Sequence, residues 1–165
     1  MTGLRIPEKP AETPPLFHDA EQKKSSSSMA LILSSAVRRR LEKAARAAAK
    51  ASYSPYSNFQ VGAAVLTDSG KIFPGCNVEN ASYGLCNCAE RTAVFSAVAA
   101  GERRIKAVAI FTKTKLPTAP CGACRQVINE FGPRAVIISF CDGQQRLERT
   151  LDALLPEAFG PDNLR

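Results

Sequence analysis

The sequence predicts an α/β domain in which helices flank a mixed β-sheet. Three observations carry that expectation. Short β-branched runs alternate with longer helical repeats, turn residues separate them, and cysteines sit where strands give way to helices. At 165 residues the chain is long enough for one domain with a sizeable core. Apolar runs fall short of the length that spans a bilayer, so no membrane partner is expected.

Residues 1–28 carry four prolines, a Lys-Lys pair and Ser25-Ser26-Ser27-Ser28, with few large apolar side chains. Such a stretch cannot bury enough surface to offset its ordering entropy, and it is expected to be a disordered tail ahead of a domain at 29–165. The first ten residues lack an apolar h-region and do not read as a secretory signal. Met29 to Val37 is apolar, but Arg38-Arg39-Arg40 follows it, which suits a helix better than a cleavage site. A helix is expected over Met29–Ala51, because Leu33, Val37, Leu41, Ala44, Ala45 and Ala48 recur at helical spacing. Opposite them stand Arg38, Arg39, Glu42, Lys43 and Arg46. Pro55 ends the segment.

Phe59–Thr67 and Lys71–Val78 read as strands joined through Asp68-Ser69-Gly70, which makes a hairpin. Ala89–Ala100 reads as a helix stopped by Gly101. Ile105–Thr112 is a β-branched strand, and Cys121–Phe131 a helix closed by Gly132-Pro133. Ala135–Cys141 is a further strand, and Asp152–Leu155 one helical turn before Pro156.

The formal charge of +7 raises the question of a nucleic-acid partner. Residues 1–50 hold ten Lys/Arg against five Asp/Glu, whereas residues 51–165 hold twelve against ten. The excess lies upstream of the motifs, not around them, so no nucleic-acid partner is expected. A cytoplasmic, reducing setting is the default, and there spaced cysteines more often bind metal or do chemistry than form disulfides. Cys76 and Cys141 fall in strand-like runs and read as plain buried thiols.

Cys121 and Cys124, three apart in a first helical turn, share one face. Helix N-termini favour thiolate over thiol. A third thiolate from the other helix start completes a three-sulfur zinc site with its fourth position open, the pattern of a catalytic zinc. Cys86 and Cys88 both compete for that place. Cys88 is favoured because Glu90 then stands two residues on, within reach of an activated water. Three thiolates leave zinc electron-rich, so a positive neighbour is needed, and Arg91 and Arg125 are candidates for hydrogen bonds to sulfur. Two plainer readings compete: a closed four-thiolate structural knuckle including Cys86, and a CxxC redox couple. Glu90 weighs against the first, since a carboxylate beside a closed site has no task.

Cys88-Ala89-Glu90 followed by Pro120-Cys121-Gly122-Ala123-Cys124 is similar to the zinc nucleoside and nucleobase deaminases. Tyr53-Ser54-Pro55-Tyr56-Ser57, Phe59-Gln60-Val61-Gly62-Ala63-Ala64, Gly75-Cys76-Asn77-Val78-Glu79-Asn80-Ala81, Cys121 to Gln126 and Leu154 to Pro161 resemble the small homotetrameric cytidine deaminases. The likeness covers roughly residues 30–165. It implies a three-layer α/β/α sandwich around a mixed five-stranded sheet. It implies one zinc ion per chain on Cys88, Cys121 and Cys124, with zinc-activated water attacking C4 of cytidine or deoxycytidine and Glu90 as proton shuttle, in pyrimidine salvage. It further implies substrate contacts at Phe59 (stacking on the base), Asn77 and Glu79 (ribose) and Ala89. In a homotetramer, Ala81, Tyr83 and Phe159 would contribute to a neighbouring subunit's site.

The cysteine at position 88 separates this pattern from deoxycytidylate, tRNA and DNA/RNA-editing deaminases, which place histidine there. A deaminase of cytosine-containing antibiotic nucleosides shares the core motifs and is the nearest rival. A non-catalytic zinc-binding interaction module is the rival from a different class.

Overall fold

The computed structural model describes residues 33–164. The expected tail of residues 1–28, with His18, and the expected helix start at residues 29–32 lie outside the described residues.

The first helix, α1 (Ser35–Ala49), begins where Ser34 adopts an extended conformation and its Oγ accepts the Val37 N–H at 3.3 Å. The strands are β1 (Val61–Thr67), β2 (Ile72–Cys76), β3 (Ile105–Thr112), β4 (Val136–Cys141) and β5 (Arg146–Thr150). The remaining helices are α2 (Ala89–Ala99), α3 (Gly122–Phe131) and the single turn α4 (Leu151–Leu154). The strands form one sheet in the order β2-β1-β3-β4-β5. Only the β3–β4 pair is parallel, so the sheet is mixed as expected.

Alternation along the central strands divides the core into two layers. Ala64, Leu66, Ala107, Ala109, Phe111, Val136, Ile138 and Phe140 face α1, which fills that side with Leu41, Ala45 and Ala49. Ala63, Val65, Val108, Ile110 and Ile137 face the opposite layer, where Ala89, Ala93, Val94 and Ala97 of α2 pack with Ile128 of α3 and Leu151. Helices thus cover both faces, giving the α/β/α sandwich.

Two glycines set how closely the helices approach. A Cβ at Gly62 would stand 2.1 Å from the Ala45 carbonyl oxygen of α1. One at Gly75 would stand 2.4 Å from the Ala93 nitrogen and 2.6 Å from the Ala89 carbonyl oxygen of α2. Both contacts are to backbone, so neither can yield by turning a side chain. Pro74 is tolerated beside Gly75 because β2 is an edge strand.

The residue patterns alone gave four strands. The fifth, β5, escaped them because Arg146-Leu147-Glu148-Arg149-Thr150 holds one large apolar residue and no apolar alternation. Its pairing with β4 and its charges hold it instead. Arg38 of α1 donates from Nη1 and Nη2 to Glu148 at 2.6 and 2.9 Å, and Arg146 donates to Glu42 at 2.5 Å. The charged face of α1, expected opposite the core, is therefore partly engaged by the edge strand. These ion pairs are partly exposed and contribute about 0–1 kcal/mol each. Cys76 differs from its reading as a buried thiol: it is half-buried, and its Sγ donates to the Ala51 carbonyl at 3.3 Å.

Gly75→Ala is expected to cost about 1–3 kcal/mol or more through overpacking. It should also loosen the first turn of α2. A denaturant melt of the variant checks this; an unchanged midpoint would show that α2 does not rest on β2 as closely as described.

Candidate active site

Strands β2 and β3 both run antiparallel to β1, so they point the same way. The helices that follow them, α2 and α3, therefore start at the same edge of the sheet. Each is preceded by an extended N-cap cysteine, Cys88 with φ −75° and ψ 154° and Cys121 with φ −65° and ψ 166°. Neither side chain makes a capping bond to its helix, which leaves both sulfurs available. One turn into α3, Cys124 is fully buried.

The sulfurs of Cys88, Cys121 and Cys124 all lie within 4.8 Å of one another, with Cys88 and Cys121 4.0 Å apart. Tetrahedral zinc with Zn–S bonds near 2.3 Å sets its sulfurs about 3.8 Å apart. The donor set fits that ion in both element and spacing. Cys86 turns elsewhere: its sulfur accepts the Asn80 N–H at 3.3 Å and stays outside the cluster. Two residues separate its fate from that of Cys88, because Cys86 ends the short 3-10 turn Tyr83–Leu85 and Cys88 caps α2.

The Cys88 thiol is lowered to about 5, chiefly because Cys124 donates a hydrogen bond to it, with Arg91 adding its charge. Cys124 is pushed up by that same bond, by burial and by Glu90. Glu90 is buried, and burial raises its carboxyl above the usual range, reinforced by the charge on Cys88. The Arg91 guanidinium places Nη2 3.9 Å from the Cys88 sulfur and donates to the Cys86 carbonyl at 2.9 Å. Arg125 does not match the expectation of a sulfur bond. Its Nε donates to the Pro120 carbonyl and its Nη1 to the Leu154 carbonyl, each at 2.8 Å, because two carbonyls left open at loop and helix ends meet its fork.

The residues expected to meet substrate stand near the ends of β1 and β2. Ala89 is buried and opens α2, where the first backbone N–H groups lack intrahelical partners. Phe59 is partly exposed, ahead of β1. Asn77 is already engaged: Oδ1 accepts from Ser52 Oγ at 2.5 Å and Val61 N at 2.9 Å, while Nδ2 donates to the Phe59 carbonyl at 2.8 Å. One side-chain N–H remains. Glu79 accepts from the Tyr56 and Ser57 N–H groups at 2.9 and 3.2 Å and from the Ser57 hydroxyl, which together hold its carboxyl below the usual range. Both residues thus do turn chemistry within the chain while keeping some capacity for a ligand. Ser52 and Ser57 went unassigned in the sequence; their place beside Pro55, where short hydroxyl side chains commonly bond turn backbone, was the available signal. Ala81, Tyr83 and Phe159 are exposed, and the Tyr83 ring meets Tyr56 edge-on with centroids 5.9 Å apart.

Residues 35–140 match the model of the cytidine and deoxycytidylate deaminase zinc-binding region. A curated cytidine deaminase of Sporosarcina psychrophila is 50% identical over 115 residues, covering 68% of this chain and 84% of that protein. The chain belongs to the cytidine deaminase family. Members of the family are hydrolases acting on C–N bonds. A second member, the cytidine deaminase of Halalkalibacterium halodurans, is 46% identical over 128 residues, covering 77% of this chain and 97% of that one. The crystal structure of the cytidine deaminase from Burkholderia pseudomallei superposes with a TM-score of 0.71 at 53% identity, over 73% of this chain and 98% of that one. The family-matched segment contains Cys88, Glu90, Cys121 and Cys124, whereas Phe159 lies beyond it.

In protein treated with a metal chelator, Cys88 is expected to react with iodoacetamide already at pH 6–7, ahead of Cys124, and to slow as the pH falls through about 5. Peptide mapping of the labelled sites reads this directly. Labelling of Cys88 that begins only above pH 8 would contradict the thiolate assignment.

Proposed function

We propose that the protein is a zinc-dependent cytidine deaminase, hydrolysing cytidine and deoxycytidine to uridine and deoxyuridine with release of ammonia. The observation that supports it most is the convergence of three sulfurs, within 4.8 Å of one another, beside the buried carboxyl of Glu90. Cys88, Cys121 and Cys124 would hold one zinc per chain. Zinc bound there supplies a Lewis acid that activates water for attack on C4 of the cytosine ring.

Glu90 carries the protons. Its carboxylate takes one from the attacking water and delivers it to N3. A second proton, from the hydroxyl now on C4, passes through Glu90 to the amino group, which leaves as ammonia while the C4 carbonyl forms. Burial raises the carboxyl and brings it nearer the pH at which it can both take and give a proton. Arg91, beside Cys88, offsets part of the charge on the sulfurs. Phe59 stacks on the base, and Ala89 offers a helix-start N–H. The remaining N–H of Asn77 and the carboxylate of Glu79 can serve one ribose hydroxyl as donor and acceptor.

The role of the product in pyrimidine salvage and a cytoplasmic setting belong to the same reading; six free cysteines suit a reducing compartment. A nucleoside is the one partner the chemistry requires, and no helix among the described residues is long and apolar enough to cross a membrane. Exposed Tyr83, at 73% accessible, and Phe159, at 59%, support a homotetramer in which Ala81, Tyr83 and Phe159 reach a neighbouring site.

Zinc-loaded protein should release ammonia from cytidine, and Glu90→Gln should keep its zinc while losing about 10²–10⁴-fold in turnover or more. Absence of turnover by the loaded wild type sinks the proposal. Loss of zinc from the Glu90→Gln variant would make Glu90 a ligand instead of a proton carrier. Comparing cytidine with a cytosine-containing antibiotic nucleoside separates the nearest rival substrate.

A further inference from the structure

The turn that carries Cys121 and Cys124 has little packing of its own. Cys121, Gly122 and Ala123 are all exposed, and a Cβ at Gly122 would meet nothing within 4 Å. The Cys121 side chain makes no capping bond to the helix it opens. Only Cys124, at the far end of the turn, is buried. Burial of Pro120 seats the approach to the turn, but Cys121 beyond it is the exposed donor, so the carbonyl that leads into it needs a fixed partner.

Arg125 supplies that fixing point. It reaches back along α3 to the Pro120 carbonyl, the last before Cys121, and Pro120 is itself fully buried. The second arm of the same guanidinium reaches the Leu154 carbonyl at the end of α4. α4 is anchored in turn: Leu151 is fully buried, and its N–H donates to the Ala135 carbonyl at 2.9 Å. The next side chain, Gln126, donates from Nε2 to the Phe159 carbonyl at 2.8 Å and ties α3 to the segment after α4. A chain of hydrogen bonds therefore runs from the entry to Cys121, through Arg125, to a helix seated on the core.

We infer that Arg125 is a positioning residue that holds the Cys121 ligand turn against α4, acting through backbone carbonyls and not through its charge on the sulfurs. The planar guanidinium presents donors in fixed directions and serves both carbonyls at once. A lysine ammonium, carried on a flexible stem, lacks that fork. The inference rests on Cys121 and Cys124 being zinc ligands, as proposed above.

The test compares wild type, Arg125→Lys and Arg125→Gln for zinc dissociation into a chromogenic chelator, with circular dichroism to confirm the fold. Both variants should lose zinc about 10–100-fold faster, the range typical of a lost supporting contact, with Lys close to Gln. Cobalt-loaded samples should show broadened or shifted thiolate-to-metal absorption in both. Restoration of wild-type dissociation by Lys alone would overturn the inference and assign Arg125 a charge role. Unchanged dissociation in both variants would also overturn it. Should Arg125→Gln fail to fold, Lys against wild type decides by itself, faster loss supporting the inference and an unchanged rate overturning it. Wild-type protein that binds no zinc would instead defeat the metal reading on which the inference stands.

Discussion

Two helices can offer their N-termini to one small site only when the strands that feed them point the same way. Here β1 lies between β2 and β3 and runs against both. That arrangement delivers Cys88 and Cys121 to one edge of the sheet, each as an extended N-cap with its sulfur unspent. The close approach at Gly75 then fixes the height of α2 over the sheet, and with it the relation of Cys88 and Glu90 to the sulfurs on α3. A site assembled from two separate helix starts depends on that spacing more than on any one contact inside it.

The electrostatics follow from the same geometry. The Cys124 thiol donates to the Cys88 sulfur, which lowers Cys88 to about 5 and raises Cys124. Arg91 sits on the Cys88 side, and helix N-termini add partial positive charge beneath. Glu90 is pushed the other way by burial. The two arginines that flank the motifs consequently divide their work. Arg91 serves the Cys88 sulfur as well as the Cys86 carbonyl, and Arg125 serves backbone carbonyls.

Much of this was legible in the sequence, for identifiable reasons. The strand Ile105–Thr112 was readable to the residue, because buried β-branched runs leave no other period. The two helices at Cys88 and Cys121 were marked by their stops, Gly101 and Gly132-Pro133, and the three-residue spacing of Cys121 and Cys124 placed both on one face. Strand β5 was illegible because its conformation is imposed by β4 and by ion pairs from α1, more than a hundred residues away in the chain for Arg38 and Glu148. Arg125 was misread for a similar reason. Its neighbour in sequence is a sulfur, but its partner in space is a carbonyl of α4, twenty-nine residues on. Asn77 and Glu79 were readable as a polar pair at a strand end, while their prior engagement by Ser52, Tyr56 and Ser57 depends on how the loop after α1 folds back.

Cys88, Cys121 and Cys124, gathered at one sheet edge, are proposed to hold zinc with one position left open. X-ray absorption at the zinc edge of the loaded protein tests this most directly. Three sulfur neighbours near 2.3 Å and one oxygen or nitrogen neighbour are expected. A shell of four sulfurs, with Cys86 drawn in, would contradict it and return the site to a structural role.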